Sequence, residues 1–427
     1  MPSVNGYFTV HKNLLPCFKP YDHYADRMPI SDQTRNRLTV LKAIRRHAPI
    51  SRSELPAISG LSGGAITKMT SDLLKRGLIV ERRESGKRNG RPRAYLEINT
   101  AGAIVIGASI EGYGPLTTAF VDLAGKRLFA LDVERSTPAT LIELASGIAD
   151  GLEQAIAASP FARDDISRIG IALPAVVDSV RGNVHFMTTF PVGPVPFAAI
   201  IEQRLGIPVT IENDTEGLAR AEHWFGVAQE LDTFTLLHVG FSVGSAKYVD
   251  GVPKSGANGL NSEMGHIKTN FDAQARRCFC GAKGCLTAYS SMFGILQHMD
   301  LLADAPFPPV ESLNARFEQF LDRAERGDVL ALGLLELAGF HLGVIIANHI
   351  NANDPGNVLL LASHARFLTF AAEKLNAAIR ENVLPGLLAC TNITFGTSNK
   401  DWRWKGTAAL ALEQAYLGNN NGPTVKA

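Results

Sequence analysis

The alternation of two hydrophobic patterns over most of the chain is the feature that most constrains its fold. From about residue 102, β-like runs such as AIVIGASI, PVTIEND and NVLLLAS alternate with helical segments such as TEGLARAEHWFG and GLLELAGFHLGVIIANHIN. Strands that alternate with helices predict an α/β fold. Because 427 residues exceed what one core normally serves, we expect residues 102–427 to form two lobes with a cleft between them.

The charge distribution separates a basic module from this body. Residues 33–97 contain 15 Lys or Arg and 5 Asp or Glu, a net charge of +10, whereas the whole chain carries +1, which leaves −9 for the remainder. A compact basic segment joined to an acidic body is typical of a polyanion-binding module attached to a second function. A merely solvated basic face would give the same charge count, so charge alone does not distinguish it from a polyanion-binding module.

Residues 34–77 contain three helical patterns in succession. Ser51 and Glu54 form a capping-box pattern before the second, and Ser62 and Gly77 are the predicted N-cap and end of the third. Three short helices with a tight turn before the last predict a helix-turn-helix, whose third helix enters the major groove of DNA.

A predicted hairpin follows these helices. Two β-like runs, 78–82 and 94–98, flank a glycine-rich loop with a basic tip, which is typical of a wing that reaches phosphates or the minor groove. Residues 32–99 are therefore predicted to be a winged helix-turn-helix that binds double-stranded operator DNA, after a flexible extension over 1–31. The predicted DNA contacts are Thr67, Lys68, Lys87, Arg88, Arg91 and Arg93.

The N-terminal residues and the cysteines indicate the cellular compartment in which the protein works. The first 29 residues lack the apolar run of a secretory signal, and no stretch is expected to supply the ~18 to 20 apolar residues that span a bilayer. Three of the five cysteines lie within eight positions, which favours metal ligands in a reducing compartment over disulfides. We therefore expect a cytoplasmic protein without a membrane partner.

Three segments together resemble a known family. IENDTEGLARAEHWFG, then HVGFSVGSAKYVDGVPKSGANGLNSEMGHI, then RCFCGAKGCL are similar to the repressor–open reading frame–kinase (ROK) family, over roughly residues 34–415. That family combines sugar kinases and sugar-responsive transcription factors on an actin-like, two-lobed fold, and its transcription factors carry an N-terminal winged helix-turn-helix. The resemblance implies a regulator of carbohydrate genes, with repression as the expected sign, that acts as a homodimer or homotetramer.

The resemblance also implies a site for a sugar or sugar-phosphate effector. Asn213 and Asp214 match the family's sugar-binding pair, and Glu263 and His266 match two further contacts. A hydrogen bond from a hydroxyl to a carboxylate is charge-assisted and directional, which suits sugar discrimination. The alternative for Asp214 is that it only caps the following helix. Thr287, the fifth predicted sugar contact, stands where family members commonly have a sugar-contacting glutamate, and this departure predicts an unusual specificity.

At the positions where the kinases of the family bind the nucleotide, this chain has different residues. Ser109 and Glu111 replace the acidic residue and first glycine of the phosphate turn, the second glycine-rich loop is reduced to GFSVGSA, and Ala362 and Ser363 replace a third glycine pair. Added side chains fill the space that close backbone–phosphate approach requires. We therefore predict no catalytic residue and no use of ATP. A sugar kinase with an added DNA-binding module and a DNA-binding oligomer without a ligand are the alternatives.

A metal motif lies between residues 266 and 285. His266, Cys278, Cys280 and Cys285 supply one imidazole and three thiolates, the donor set of a closed tetrahedral zinc site. Because all four positions are filled, no coordination site remains for an activated water. The motif therefore predicts one structural zinc, which leaves the second ring nitrogen of His266 to donate to a sugar hydroxyl.

Overall fold

The computed structural model describes residues 32–417 apart from 84–93, 113, 188–189, 191–192, 301–309 and 399–400. The extension over 1–31 and four predicted DNA contacts in the wing, Lys87, Arg88, Arg91 and Arg93, therefore lie outside the described residues.

The N-terminal module consists of three helices and a small antiparallel sheet of order β1-β3-β2. Its elements are α1 (Asp32–His47), β1 (Ile50–Ser51), α2 (Leu55–Ser59), α3 (Gly63–Lys75), β2 (Ile79–Arg83) and β3 (Ala94–Ile98). The apolar faces of the helices and strands share one buried core. This order of helices and strands is consistent with the predicted winged helix-turn-helix, in which the helix at the position of α3 is the recognition helix.

The ends of the short helices follow the sequence signals with one exception. The Ser62 hydroxyl accepts the backbone N–H of Ala65 at 3.3 Å and caps α3, and Gly77 ends it with a positive φ of 66°. The capping box predicted before α2 is half formed. The Ser51 N–H donates to the Glu54 carboxylate at 2.8 Å, as in a capping box. The Ser51 hydroxyl also donates to that carboxylate, at 2.6 Å, while the Glu54 N–H donates to the Ser51 carbonyl, and α2 begins only after Glu54.

The first lobe of the body is a five-stranded sheet of order β10-β7-β4-β5-β6 with helices packed against it. Its strands are β4 (Ile104–Ile110), β5 (Leu116–Asp122), β6 (Arg127–Val133), β7 (Ile166–Leu173) and β10 (Val209–Asn213), and its helices are α4 (Leu141–Ala158) and α5 (Phe197–Leu205). A two-stranded hairpin, β8 (Val176–Asp178) and β9 (Asn183–Phe186), extends from it. Parallel pairing of β10, β7 and β4 brings their carboxyl ends to one edge, at the cleft.

The second lobe repeats this architecture with a sheet of order β13-β12-β11-β14-β15. Its strands are β11 (Phe234–Val239), β12 (Val243–Val249), β13 (Val252–Pro253), β14 (Asn357–Ala362) and β15 (Asn392–Thr397). Its helices are α7 (Thr287–Ser290), α8 (Met292–His298), α9 (Val310–Glu325), α10 (Val329–Asn353), α11 (Ala365–Asn382) and α12 (Pro385–Cys390). Two α/β lobes with a cleft between them confirm the fold class predicted from the alternating patterns.

Two further helices run through the centre of the molecule. They are α6 (Asp214–Phe225), which follows β10, and α13 (Trp402–Leu417), which packs across β4 and β7. Close packing here depends on glycines: a Cβ at Gly107 of β4 would stand 2.6 Å from the Thr407 hydroxyl oxygen of α13. Both helices begin at the cleft.

The expectation that no segment is apolar enough to cross a membrane is wrong for one helix. Within the described residues, α10 has the length and composition of a membrane span. Its apolar character has another cause, because 56% of the apolar window is buried inside the protein, where α10 packs against α11 in the core of the second lobe.

Candidate functional site

A cavity of about 550 Å³ occupies the cleft between the two lobes. Side chains from the end of β4, the start of α6, the β11–β12 turn, the cysteine-rich loop and the start of α13 line it. Both charged groups and aromatic rings face it, which suits a small polar ligand with an apolar side. Sugars have this character.

Four of the five predicted sugar-contacting residues line this cavity: Asn213, Asp214, Glu263 and His266. Asn213 is the N-cap of α6, since its side-chain oxygen accepts the N–H groups of Thr215 and Glu216 at 2.8 and 3.3 Å. The capping role considered for Asp214 thus belongs mainly to Asn213. The amide of Asn213 also donates to the Ala175 carbonyl at 3.0 Å, so the Asn213 side chain is held in place from both ends.

Asp214 stands at the first turn of α6 with one carboxyl oxygen on the N–H of Thr215 at 2.8 Å. Burial raises the pKa of Asp214 to about 6, the nearby Glu111 carboxyl adds to this rise, and the Thr215 N–H opposes it. A carboxyl group with this pKa is ionised at neutral pH and accepts hydrogen bonds from hydroxyl groups. Because Asp214 lines the cavity, its carboxyl group can accept a hydrogen bond from a ligand there.

Glu263 shares the cavity with Asp214. Enclosure by the walls of the cleft and the charge of Asp214 raise the pKa of Glu263 to about 7. Two neighbouring carboxyl groups that resist ionisation in a cleft are typical of a ligand site, where hydroxyl groups of the ligand replace the water that would otherwise solvate the charges.

Thr287 does not reach the cavity, and the predicted direct contact with a sugar is corrected here. Its side chain is fully buried in α7, and its hydroxyl accepts the N–H of Val243 at 3.4 Å. Gly265 lies against it, where a Cβ would stand 2.8 Å from the Thr287 hydroxyl oxygen. The side chain of threonine is too short to pass this backbone, so Thr287 supports the wall of the cavity from behind.

The four predicted metal ligands converge. The donor atoms of His266, Cys278, Cys280 and Cys285 all lie within 4.8 Å of one another. The His266 Nδ1–Cys278 Sγ distance is 3.7 Å and the Cys280–Cys285 Sγ distance is 3.8 Å. With Zn–S bonds of about 2.3 Å, the edge of a tetrahedral site is about 3.8 Å. The spacing and chemistry of the donors therefore fit zinc.

The loop that carries the cysteines is folded tightly enough to hold this geometry. Gly281 and Gly284 adopt positive φ values of 86° and 76°, which only glycine adopts without strain. Lys268 donates to the Cys285 sulfur at 2.8 Å and also lines the cavity. With a dication bound to three thiolates, the charge of Lys268 would make the site neutral, which would lower the cost of burying it.

Phe279 is a wall residue that sequence reasoning missed. It lies between Cys278 and Cys280, packs edge-on against the His266 ring at 5.5 Å and stacks on Phe241 at 6.2 Å. An aromatic residue between two ligand cysteines is the signal that was available in the sequence. Phe279 thereby connects the cysteine-rich loop to the side wall of the cavity.

The end of the cavity near β4 holds an ion pair and a histidine. Glu111 forms a salt bridge with Arg403 at the start of α13. His238 lies 3.2 Å from the Ser363 hydroxyl, and burial, assisted by the charge of Arg403, lowers the pKa of His238 to about 4. Side chains therefore fill the positions where a phosphate-binding turn would need bare backbone, as predicted from Glu111 and Ser363.

Helix α3, the predicted recognition helix, presents an open surface. Thr67 and Lys68 are exposed, and Thr67 donates to the Gly63 carbonyl at 2.9 Å. Gly63 and Gly64 have no atom within 4 Å of an added Cβ, so space inside the protein does not require glycine there. This end of α3 is free to approach a groove.

Several known transcriptional regulators are similar in sequence to this chain over most of its length. The chain is 28% identical to the transcriptional dual regulator NagC of Escherichia coli over 388 residues (90% of this chain, 93% of NagC) and 27% identical to the E. coli repressor Mlc (89% and 93%). It is 26% identical to the xylose repressor of Caldicellulosiruptor bescii (81% and 87%).

Solved structures give the same result. A ROK-family transcriptional regulator described as a homologue of E. coli Mlc superposes with a TM-score of 0.73 at 28% identity, covering 90% of this chain and 96% of that one. The ROK hexokinase of Thermus thermophilus shares the fold of the body at 22% identity, with a TM-score of 0.57 over 72% of this chain and 98% of that one. The sequence pattern of the ROK family matches residues 111–414, and the chain belongs to the ROK family.

Proposed function

We propose that the chain is a sugar-responsive transcriptional repressor of carbohydrate genes in the bacterial cytoplasm. The observation that carries this proposal is the presence, in one chain, of an exposed recognition helix and a cleft lined by Asp214, Glu263 and His266. Relatives of nearly the same length are named as xylose and N-acetylglucosamine repressors, which supports the assignment. The proposed assembly is a homodimer or homotetramer, since paired helix-turn-helix modules bind two half-sites of DNA.

In the cleft, each residue has a defined task. Asp214 and Glu263 accept hydrogen bonds from sugar hydroxyls, and Asn213 places Asp214 by capping α6. His266 faces Cys278 through Nδ1, which leaves Nε2 to donate to a hydroxyl. A zinc ion held by His266 and the three cysteines would fix the tautomer and orientation of this ring and supplies no reactive water.

The charges of the cavity favour an unphosphorylated sugar over a sugar phosphate. Of the described residues that line it, the cationic side chains already have partners: Arg403 binds Glu111, Lys268 binds the Cys285 sulfur, and Arg135 donates to the Gly114 carbonyl at 2.8 Å. A phosphate would also face the carboxyl groups of Asp214 and Glu263. A neutral ligand makes the same hydroxyl contacts without this repulsion.

The proposed DNA contacts come from two parts of the module, helix α3 and the wing. Thr67 and Lys68 of α3 face the groove, where glycines in the first turn leave little direct base readout and shift recognition toward DNA shape. The basic residues of the wing, Lys87, Arg88, Arg91 and Arg93, supply contacts to phosphates or the minor groove.

One experiment tests the function as a whole. The full-length protein selects its preferred duplex from a random DNA library, and its affinity for that duplex is measured with and without D-xylose, D-glucose, N-acetyl-D-glucosamine and their phosphates. We expect one unphosphorylated sugar to weaken DNA binding and to raise the melting temperature of the protein. Absence of any sugar effect would contradict the proposal, and ADP release in the presence of ATP and a sugar would favour the kinase alternative.

A further inference from the structure

Two helices connect the cleft to the DNA-binding module. Helix α6 starts at the cleft with Asp214 and reaches the module with Trp224. Helix α13 starts at the cleft with Trp402 and Arg403, and its last turns pack in the core that the module shares with the body. A shift of either helix at the cleft is therefore transmitted to the DNA-binding module through that single helix.

The two helices are held to each other by a buried charge cluster, defined here as Glu212, Arg220, Trp224 and Glu413. Arg220 of α6 forms salt bridges with Glu413 of α13 and, at 3.2 Å, with Glu212. The Trp224 indole N–H donates to Glu413 at 2.6 Å. Arg220 is only 3% exposed, so these interactions act in a water-poor interior, where they are strong and directional.

One end of this cluster adjoins the cleft. Glu212 accepts the backbone N–H of Asn213 at 3.2 Å, and Asn213 is the residue that caps α6 beside Asp214. The polar contacts therefore run without interruption from the cap of α6 to Arg220 and Glu413.

The other end adjoins the DNA-binding module. Arg45 of α1 donates to the Trp224 carbonyl at 2.5 Å, and its guanidinium lies 4.9 Å from the centre of the Trp224 ring. Arg46 forms a salt bridge with Glu230 at 2.7 Å. The module is thus held on the body by side chains that contact the end of α6 and the segment that follows it.

Stability alone does not account for such a cluster. A buried ion pair is often no more stabilising than well-packed apolar side chains of similar volume, because both charges lose their hydration. Its distinctive property is that it fixes one relative arrangement of the groups that it joins. Here those groups are the cap of the sugar-side helix and the docking site of the DNA-binding module.

We infer that Trp224 and Glu413 are positioning residues that couple the occupancy of the cleft to the orientation of the DNA-binding module. This inference rests on the proposed function, since it needs a ligand in the cleft and DNA on the module. By linkage, the factor by which sugar changes the affinity for DNA equals the factor by which DNA changes the affinity for sugar.

The test measures this factor in variants. The Kd for the duplex selected by the wild-type protein is determined with and without saturating amounts of the sugar, among D-xylose, D-glucose and N-acetyl-D-glucosamine, that gives the largest thermal shift. We expect a change of at least about fivefold in the wild type, within the usual range of allosteric coupling. In Glu413→Gln and Trp224→Phe the change is expected to fall below twofold, while the affinity for each ligand alone stays within threefold of wild type.

Two further variants provide a substitute for the first two and a control. Arg45→Gln removes the contact from the side of the module without altering the core of the body, so it replaces the first two if they fail to fold, and it has the same expected effect. Arg82→Gln is the matched control, because Arg82 pairs with Glu97 inside the module. It is expected to weaken DNA binding equally with and without sugar, which leaves the coupling factor unchanged.

The outcomes separate the two proposals. Wild-type coupling that persists in Glu413→Gln, Trp224→Phe and Arg45→Gln would overturn the inference and leave the proposed function intact. Variants that lose affinity for sugar or DNA when each is tested alone show a merely structural role and also overturn it. No sugar effect in the wild type would instead overturn the proposed function, and the inference with it.

Discussion

The backbone of Gly406 in α13 lies directly against the backbone of Gly217 in α6. A Cβ built on Gly406 would overlap the carbonyl oxygen and carbonyl carbon of Gly217 and would lie in tight contact with its Cα. The two helices that begin at the cleft therefore touch without intervening side chains. Because no side chain lies between the two backbones to absorb a shift, we expect a displacement of α6 or α13 to move the other helix as well.

Gly406→Ala is expected to lower the free energy of unfolding by about 1–3 kcal/mol, because the added methyl group forces the two helix backbones apart. Urea unfolding followed by circular dichroism measures the change. Gly333→Ala is the control, since Gly333 lies on the exposed face of helix α10 with no atom within 4 Å of an added Cβ. There the alanine should raise stability by about 0.5–1 kcal/mol. Equal effects at the two positions would contradict the close contact.

Asp214→Asn is expected to stabilise the sugar-free protein at pH 8 while it weakens sugar binding. The pKa of Asp214 is about 6 in the folded protein and near 3.8 in the unfolded chain. The folded state therefore retains a proton that the unfolded state loses above about pH 4. The free energy of unfolding therefore falls as the pH rises from about 4 to 6, and at pH 8 the neutral asparagine avoids a loss of about 3 kcal/mol.

Thermal unfolding across pH 4 to 8 measures this effect, and calorimetric titration with the sugar measures the affinity. In the wild type, sugar affinity should increase as the pH rises through 6 and 7, because Asp214 and then Glu263, with a pKa of about 7, become acceptors. Glu263→Gln should flatten the upper part of that profile. A wild-type affinity independent of pH between 5 and 8 would contradict the acceptor roles.

The cysteine-rich loop was predictable because its geometry is local. Three of the four ligands lie within eight residues, and the intervening Gly281 and Gly284 indicate the turns that bring the sulfur atoms together. The strands and helices of the body were predictable for a similar reason, since their hydrophobic periods are read within one segment.

The far end of the cavity was not predictable from local patterns. Arg403 meets Glu111 across nearly three hundred residues of sequence, and His238 meets Ser363 only because β11 and β14 are neighbours in one sheet. Thr287 shows the converse error. Its place in a motif suggested a ligand contact, but the backbone of Gly265 and the N–H of Val243 enclose its hydroxyl.

Cys280→Ser is expected to abolish zinc binding, because a serine hydroxyl is a poor substitute for a thiolate ligand. Metal analysis of the purified full-length protein checks this, and hydrogen exchange should show faster exchange over residues 265–289. Loss of zinc should also abolish the effect of sugar on DNA binding, since His266 both faces Cys278 and lines the cavity.

Cys390→Ser is the matched control, because Cys390 is exposed and lies outside the cluster. It should retain zinc, melting temperature and sugar response. A Cys280→Ser protein that keeps the full sugar response without bound metal would show that the loop and the effector site are independent.

Lys68→Ala is expected to weaken binding to DNA and to reduce the salt dependence of that binding. Lys68 is exposed near the start of α3, and each phosphate contact that is lost lowers the slope of log K against log salt by about one. Fluorescence anisotropy with the selected duplex at several salt concentrations gives this slope. Lys75→Ala removes the same charge from the opposite end of α3, away from the predicted groove contacts, and should leave the slope nearly unchanged. If the two variants lower the slope equally, α3 does not enter the groove by its first turns, and the assignment of Thr67 and Lys68 is wrong.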